Sequence, residues 1–131
     1  MLPKYASIVA ALVVSCALAA QAEAGDNGYG KFSIRNPSNV TIHYQIKWGN
    51  GDWTSHTVSP NSTRWHAHPL DGDGTAPTPQ IRFDWIGGDG DGTLKHYELR
   101  FYAVDCQRHG HGKPYVFRYS QCGVYLDLYS A

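Results

Sequence analysis

Between residues 40 and 53 the chain reads VTIHYQIKWGNGDW, and apolar and polar positions alternate along it. Ile42, Tyr44, Ile46 and Trp48 take every second place; Thr41, His43, Gln45 and Lys47 take the places between. A period of two marks a strand with one buried and one wet face. The run ends in Gly-Asn-Gly-Asp, residues suited to positive φ or to an Asx turn. Trp53 opens a second extended run that reaches Val58. The stretch predicts a long β-hairpin whose apolar side carries Trp48, Trp53, Tyr44 and the two isoleucines.

The same pattern continues on either side. Residues 31–35 form a first strand with Phe32 and Ile34 on one face, followed by the turn Asn36-Pro37-Ser38-Asn39. A second turn at 59–62 leads into a strand over 63–68, with Trp65 and Ala67 on one face and Arg64, His66 and His68 on a wet one. Residues 80–86 place Ile81, Phe83 and Trp85 together. Residues 94–104 read as one long strand with Tyr97, Leu99 and Phe101 inward. Two more strands, 115–120 and 124–129, close the chain. Gly, Pro and Asp dominate the loops at 71–79 and 87–92, and a polar loop fills 107–114. No 3.6-residue periodicity occurs after residue 25. About eight strands without crossover helices predict an all-β, antiparallel β-sandwich of immunoglobulin- or fibronectin-like type.

The N-terminal residues fall outside this pattern. Lys4 precedes an apolar run over 5–20, and Ala22-Glu23-Ala24 supplies an A-x-A cleavage site. The expectation is a signal peptide over 1–24 and a single domain over 25–131, with a secreted or periplasmic address. Val13-Val14-Ser15-Cys16 resembles a lipoprotein box, so anchoring at Cys16 is the competing expectation. In an exported chain the two later cysteines, Cys106 and Cys122, predict a structural disulfide; a metal or redox pair is the alternative, and the spacing fits neither CxxC nor a zinc ribbon.

Eleven basic and eleven acidic residues balance, which gives no reason to expect nucleic acid or an anionic membrane as partner. No membrane span is expected after cleavage, and a monomer is the working expectation. Aromatic residues are frequent, with all four tryptophans after residue 24. The order F-x-I-x-N at 32–36, W-G-x-G-x-W at 48–53, P-Q-I-R-F-D at 79–84 and Y-x-F-x-Y with a terminal Y-L-D-L at 115–128 is similar to a small secreted β-sandwich module of planctomycete-like bacteria. That resemblance implies fold and export, and carries no activity or site residues with it.

Three constellations bear on chemistry. Asp71-Gly-Asp73-Gly-Thr recurs as Asp89-Gly-Asp91-Gly-Thr. Alternate carboxylates on a Gly backbone can gather around calcium, but position twelve is Arg82 or Arg100 where an EF-hand has Glu. The bland alternative is two good turns. His66 and His68 share a strand face and could chelate zinc or copper, as could His109 and His111 in a loop; a solvated face is the alternative. Trp48 and Trp53 at the hairpin tip, with Tyr125 and Tyr129 on the last strand, could stack on a sugar or dock a protein, or could simply be core.

Enzyme motifs are missing: there is no G-x-S-x-G elbow, P-loop or HExxH. Asp84 and Glu98 as a glycosidase pair form the runner-up enzymatic reading. The expectation is therefore a non-catalytic, exported binding or adhesion module without an obligatory cofactor. It would recognise a protein or glycan through loops and surface aromatics. A metal-binding exported protein is the alternative.

Overall fold

The computed structural model describes residues 27–86, 93–105 and 112–131. The expected signal peptide, Cys16, Cys106, Asp89, Asp91, His109 and His111 lie outside them. Among the described residues there are nine strands and no helix: β1 (Tyr29–Asn36), β2 (Ile42–Trp48), β3 (Thr54–Val58), β4 (Ser62–Pro69), β5 (Pro79–Asp84), β6 (Leu94–Glu98), β7 (Tyr102–Val104), β8 (Lys113–Tyr119) and β9 (Leu126–Ser130). No helix among these residues is long and apolar enough to cross a membrane.

The strands form two sheets. One has the order β4-β1-β8-β9, with β7 also on β1; the other runs β3-β2-β5-β6. Their inner faces meet in one apolar cluster. Phe32, Ile34, Tyr115, Phe117, Leu126 and Leu128 come from the first sheet, and Ile42, Tyr44, Ile46, Val58, Ile81 and Phe83 from the second. The Phe117 ring lies 5.9 Å from Tyr44 and 5.1 Å from Phe83, so aromatic contacts cross the interface. This is the sandwich-like arrangement that strands with one apolar face require. The expected pairing is not uniformly antiparallel, because β8 runs parallel to β1 over Phe32 to Arg35.

The hairpin forms as its alternation dictates, with Ile42 opposite Val58 and Ile46 opposite Thr54. Gly49 adopts φ +59° at the tip, the left-handed conformation expected of the Gly-Asn-Gly-Asp turn. Trp53 departs from expectation. It precedes the inward Thr54 and therefore projects outward, on the face opposite Trp48.

The long strand expected over 94–104 is instead two strands in different sheets. β6 pairs with β5 and β7 pairs with β1. The chain crosses between sheets at residues 99–101, anchored by Leu99 N donating to Pro79 O (2.8 Å) and Arg100 N donating to Tyr115 OH (2.7 Å). Leu99 is buried there. The Phe101 ring lies against Gly30, where a Cβ would come within 2.6 Å of it. Hydrophobic alternation runs unbroken through this crossover because both sheets face the same core.

β4 carries a second reversal. Its register sets His66 opposite Phe32 and Trp65 opposite Ser33. Cross-strand partners share a face, and Phe32 is fully buried between the sheets. His66 therefore points into the core, and Trp65 points to solvent at 43% exposure.

Polar ties close the sandwich at the edge formed by β6 and β9. Asp127 accepts from Lys95 Nζ (2.9 Å) and from Tyr97 OH (2.7 Å). Nearby, Leu126 N donates to Trp85 O at 2.9 Å.

Candidate functional site

The outer face of the four-stranded sheet is polar by alternation, and its register arranges the polar groups in rows. Ser55, Gln45, Arg82 and His96 lie side by side across β3, β2, β5 and β6. Along this row Arg82 Nε donates to Gln45 Oε1 (2.6 Å), and Gln45 Nε2 donates to Ser55 Oγ (3.2 Å). His96 Nε2 lies 2.8 Å from Gln80 Oε1. Trp53 reaches across this face. Its ring centroid is 4.3 Å from Arg82 Cζ, 5.0 Å from Lys47 Nζ and 5.5 Å from the His96 ring. The Arg82 guanidinium is thus held by a cation–π contact and by a side-chain amide.

Beside this row lies a groove of about 480 Å³ lined by Gln45, Ser55, Thr57, Arg64, Arg82 and Leu94, among others. Arg64 belongs to β4 and reaches round the edge, donating Nη1 to Thr57 O at 3.1 Å. A second cavity of about 660 Å³ lies at the end of the sandwich, between residues 38–42 and Tyr119, Gly123 and Leu126. The two adjoin at His43 and Asp84, which line both. Together they make an extended depression with hydrogen-bonding groups on the sheet and apolar groups at its loop end.

Behind the groove, on the inner side, sits a chain of titratable groups. Tyr44 OH and His66 Nε2 are 2.8 Å apart, and the His56 and His66 rings meet edge to face at 4.7 Å. Burial holds the His66 pKa down to about 3, with His56 and Arg64 adding to the depression. Burial also lowers His56, helped by Arg64, and raises Tyr44.

The sequence candidates scatter. Trp48 closes the end of the core, with its ring 5.6 Å from Phe32 and 5.0 Å from His68. Tyr125 stacks on Trp85 at 5.4 Å. Tyr129 stands on the outer face of the five-stranded sheet, where Trp65 and Tyr102 are also about half exposed. His66 and His68 share a face, as strand alternation requires, but it is the inward one. His66 bonds Tyr44, and His68 Nδ1 lies 2.8 Å from Pro69 O. Among the described residues no group of three His, Cys, Asp or Glu converges.

In the first acidic loop, Thr75 Oγ1 donates to Asp73 Oδ1 at 2.7 Å and sits 3.5 Å from Asp71 Oδ2. Asp71 N also donates to Thr75 O at 2.7 Å, so the loop is an internally bonded turn. Among the described residues there is no disulfide. Cys122 is free and exposed, with Sγ 3.2 Å from Ser120 Oγ, and its expected partner Cys106 is not described.

Apart from Asp84, the residues lining the groove carry no mark in the sequence as site residues; Gln45 and Arg82 sit at ordinary polar positions of alternating strands. Only the pairing of Gln45 with Arg82 brings them together, and alternation within one strand does not encode that pairing. Comparison with protein-family models, curated proteins and solved structures finds no match for this chain.

Proposed function

We propose that this chain is an exported, non-catalytic binding module of immunoglobulin-like architecture that holds an extended glycan in the groove on the four-stranded sheet. The carrying observation is the pre-bonded row Ser55–Gln45–Arg82 along a depression that continues past His43 and Asp84 to the loop at 38–41. Amide, hydroxyl, imidazole and guanidinium groups spaced by the strand separation of about 4.8 Å suit a hydroxyl-rich chain better than a flat apolar epitope. A protein ligand is the other reading of the same class, and the exposed rings Trp65, Tyr102 and Tyr129 on the opposite sheet favour it. Between those rings Lys31 is buried with its Nζ 4.8 Å from the Trp65 ring, and Arg35 is exposed, so cations sit where a protein interface would have its apolar centre.

The non-catalytic reading rests on geometry. Asp84 pairs with Leu94 and Glu98 with Gln80, four residue steps apart along β5. That separates the carboxylates by about 13 Å, beyond the roughly 5–9.5 Å of glycosidase pairs. The Tyr44–His66 pair is buried, and Thr54 Oγ1, beside His56, donates to Ile46 O.

Native electrophoresis through gels containing soluble polysaccharides tests the proposal. At least one polymer should retard the protein. Gln45→Ala should weaken that retardation about tenfold, the worth of one or two lost hydrogen bonds, while Trp65→Ala leaves it unchanged. Retardation lost in Trp65→Ala and kept in Gln45→Ala would move the site to the other sheet and refute the groove.

A further inference from the structure

We infer that the ligand of this groove is an acidic glycan whose uronic carboxylates are held by Arg82 and Arg64; this rests on the glycan reading above. Arg82 is prepared for such a group. The Arg82 Cζ lies over the Trp53 ring, 4.3 Å from its centroid, and Gln45 Oε1 accepts from its Nε at 2.6 Å. Among the described residues nothing accepts from its two terminal nitrogens. A guanidinium edge fixed in this way matches a planar carboxylate in a two-point pair, and little side-chain entropy is left to lose on binding.

The surroundings point the same way. Arg64 lines the same groove, tethered through one nitrogen to Thr57 O. Lys47 Nζ lies 5.0 Å from the Trp53 ring that carries Arg82, so two cations share one ring. Among the described residues Asp84 is the one carboxylate lining either cavity, and its Oδ1 accepts from Ile86 N at 3.0 Å. The whole chain is neutral, so this positive character belongs to the groove and not to the composition. Complementary charge gives a groove its selectivity between ligands of similar shape.

The test uses gel retardation of the protein by four polymers: polygalacturonate, the same polymer fully methyl-esterified, a neutral glucan and polyglutamate. The expected result is tightest binding to polygalacturonate, with the ester roughly tenfold weaker, as loss of a charge-assisted pair implies. Arg82→Lys, which keeps the charge and loses the planar fork, should weaken binding of the acid form by a clearly larger factor than binding of the ester. Equal binding of acid and ester, or tighter binding of the glucan, would overturn the acidic ligand and leave the glycan reading standing. Polyglutamate binding as tightly as polygalacturonate would reduce the effect to charge alone and also overturn it. Retardation by none of the four would count against both readings. The comparison of acid with ester uses the unaltered protein, so it holds whatever Arg82→Lys does to folding.

Discussion

Lowering the pH from 7 to 4 is expected to remove about 3 kcal/mol of folding stability through His66 alone. His66 is 8% exposed, bonded to Tyr44 and flanked by His56, and its pKa is held down to about 3. In the unfolded chain the same ring titrates near 6.5. Below pH 6.5 the unfolded state therefore binds a proton that the folded state refuses, and stability falls as pH falls until about pH 3. His56 is depressed in the same direction and adds to the loss. Carboxylates titrate near 4, so the window from 6.5 to about 4.5 belongs to these two histidines. Urea unfolding at several pH values measures the slope. His66→Leu should flatten it, at a cost of about 1–3 kcal/mol at pH 7 for the orphaned Tyr44 hydroxyl. A parent protein equally stable at pH 7 and pH 4.5 would show that His66 is not buried as described.

Asn36→Asp should destabilise the protein by about 3 kcal/mol or more. Asn36 is fully buried. Its Nδ2 donates to Val40 O (2.7 Å), Val58 O (3.1 Å) and Ser59 O (3.2 Å). Its Oδ1 accepts from Ser38 N (2.9 Å) and Ser38 Oγ (2.6 Å). One amide thus ties the loop after β1 to the end of β3, and that loop lines the far end of the groove. An aspartate presents a carboxylate to three carbonyl oxygens, which lose their donor. The urea midpoint should drop with the slope unchanged. A variant within 1 kcal/mol of the parent would mean that the three carbonyls find other donors.

How far the fold could be read in advance follows from these elements. Strands whose inner face is plainly apolar, β2 and β5, fall where alternation places them. β4 inverts because its apolar Trp65 and Ala67 lie outside while its histidines lie inside; only pairing with Phe32 decides between the two faces. The crossover at 99–101 was hidden because an inward residue looks the same whichever sheet it belongs to. Asn36 looked like a turn residue, and its buried bonds to β3 are long-range. The site was the least legible part. Trp53 is a candidate in the sequence, yet Arg82, Gln45 and Ser55 come from three strands and meet only through register. The aromatic candidate Trp48 packs at the end of the core, whereas Tyr125 stacks on Trp85 and stays about half exposed, since a ring in an alternating strand carries no mark of which face it takes.

The claim that the groove on the four-stranded sheet is the binding surface is tested most directly by mapping amide chemical shifts during titration with the polysaccharide that retards the protein. The account predicts shifts concentrated at Gln45, Ser55, Arg82 and Asp84 and in the loop at 38–41, with the Trp53 indole among the largest. Shifts concentrated at Trp65, Tyr102 and Tyr129, with the groove silent, would contradict it.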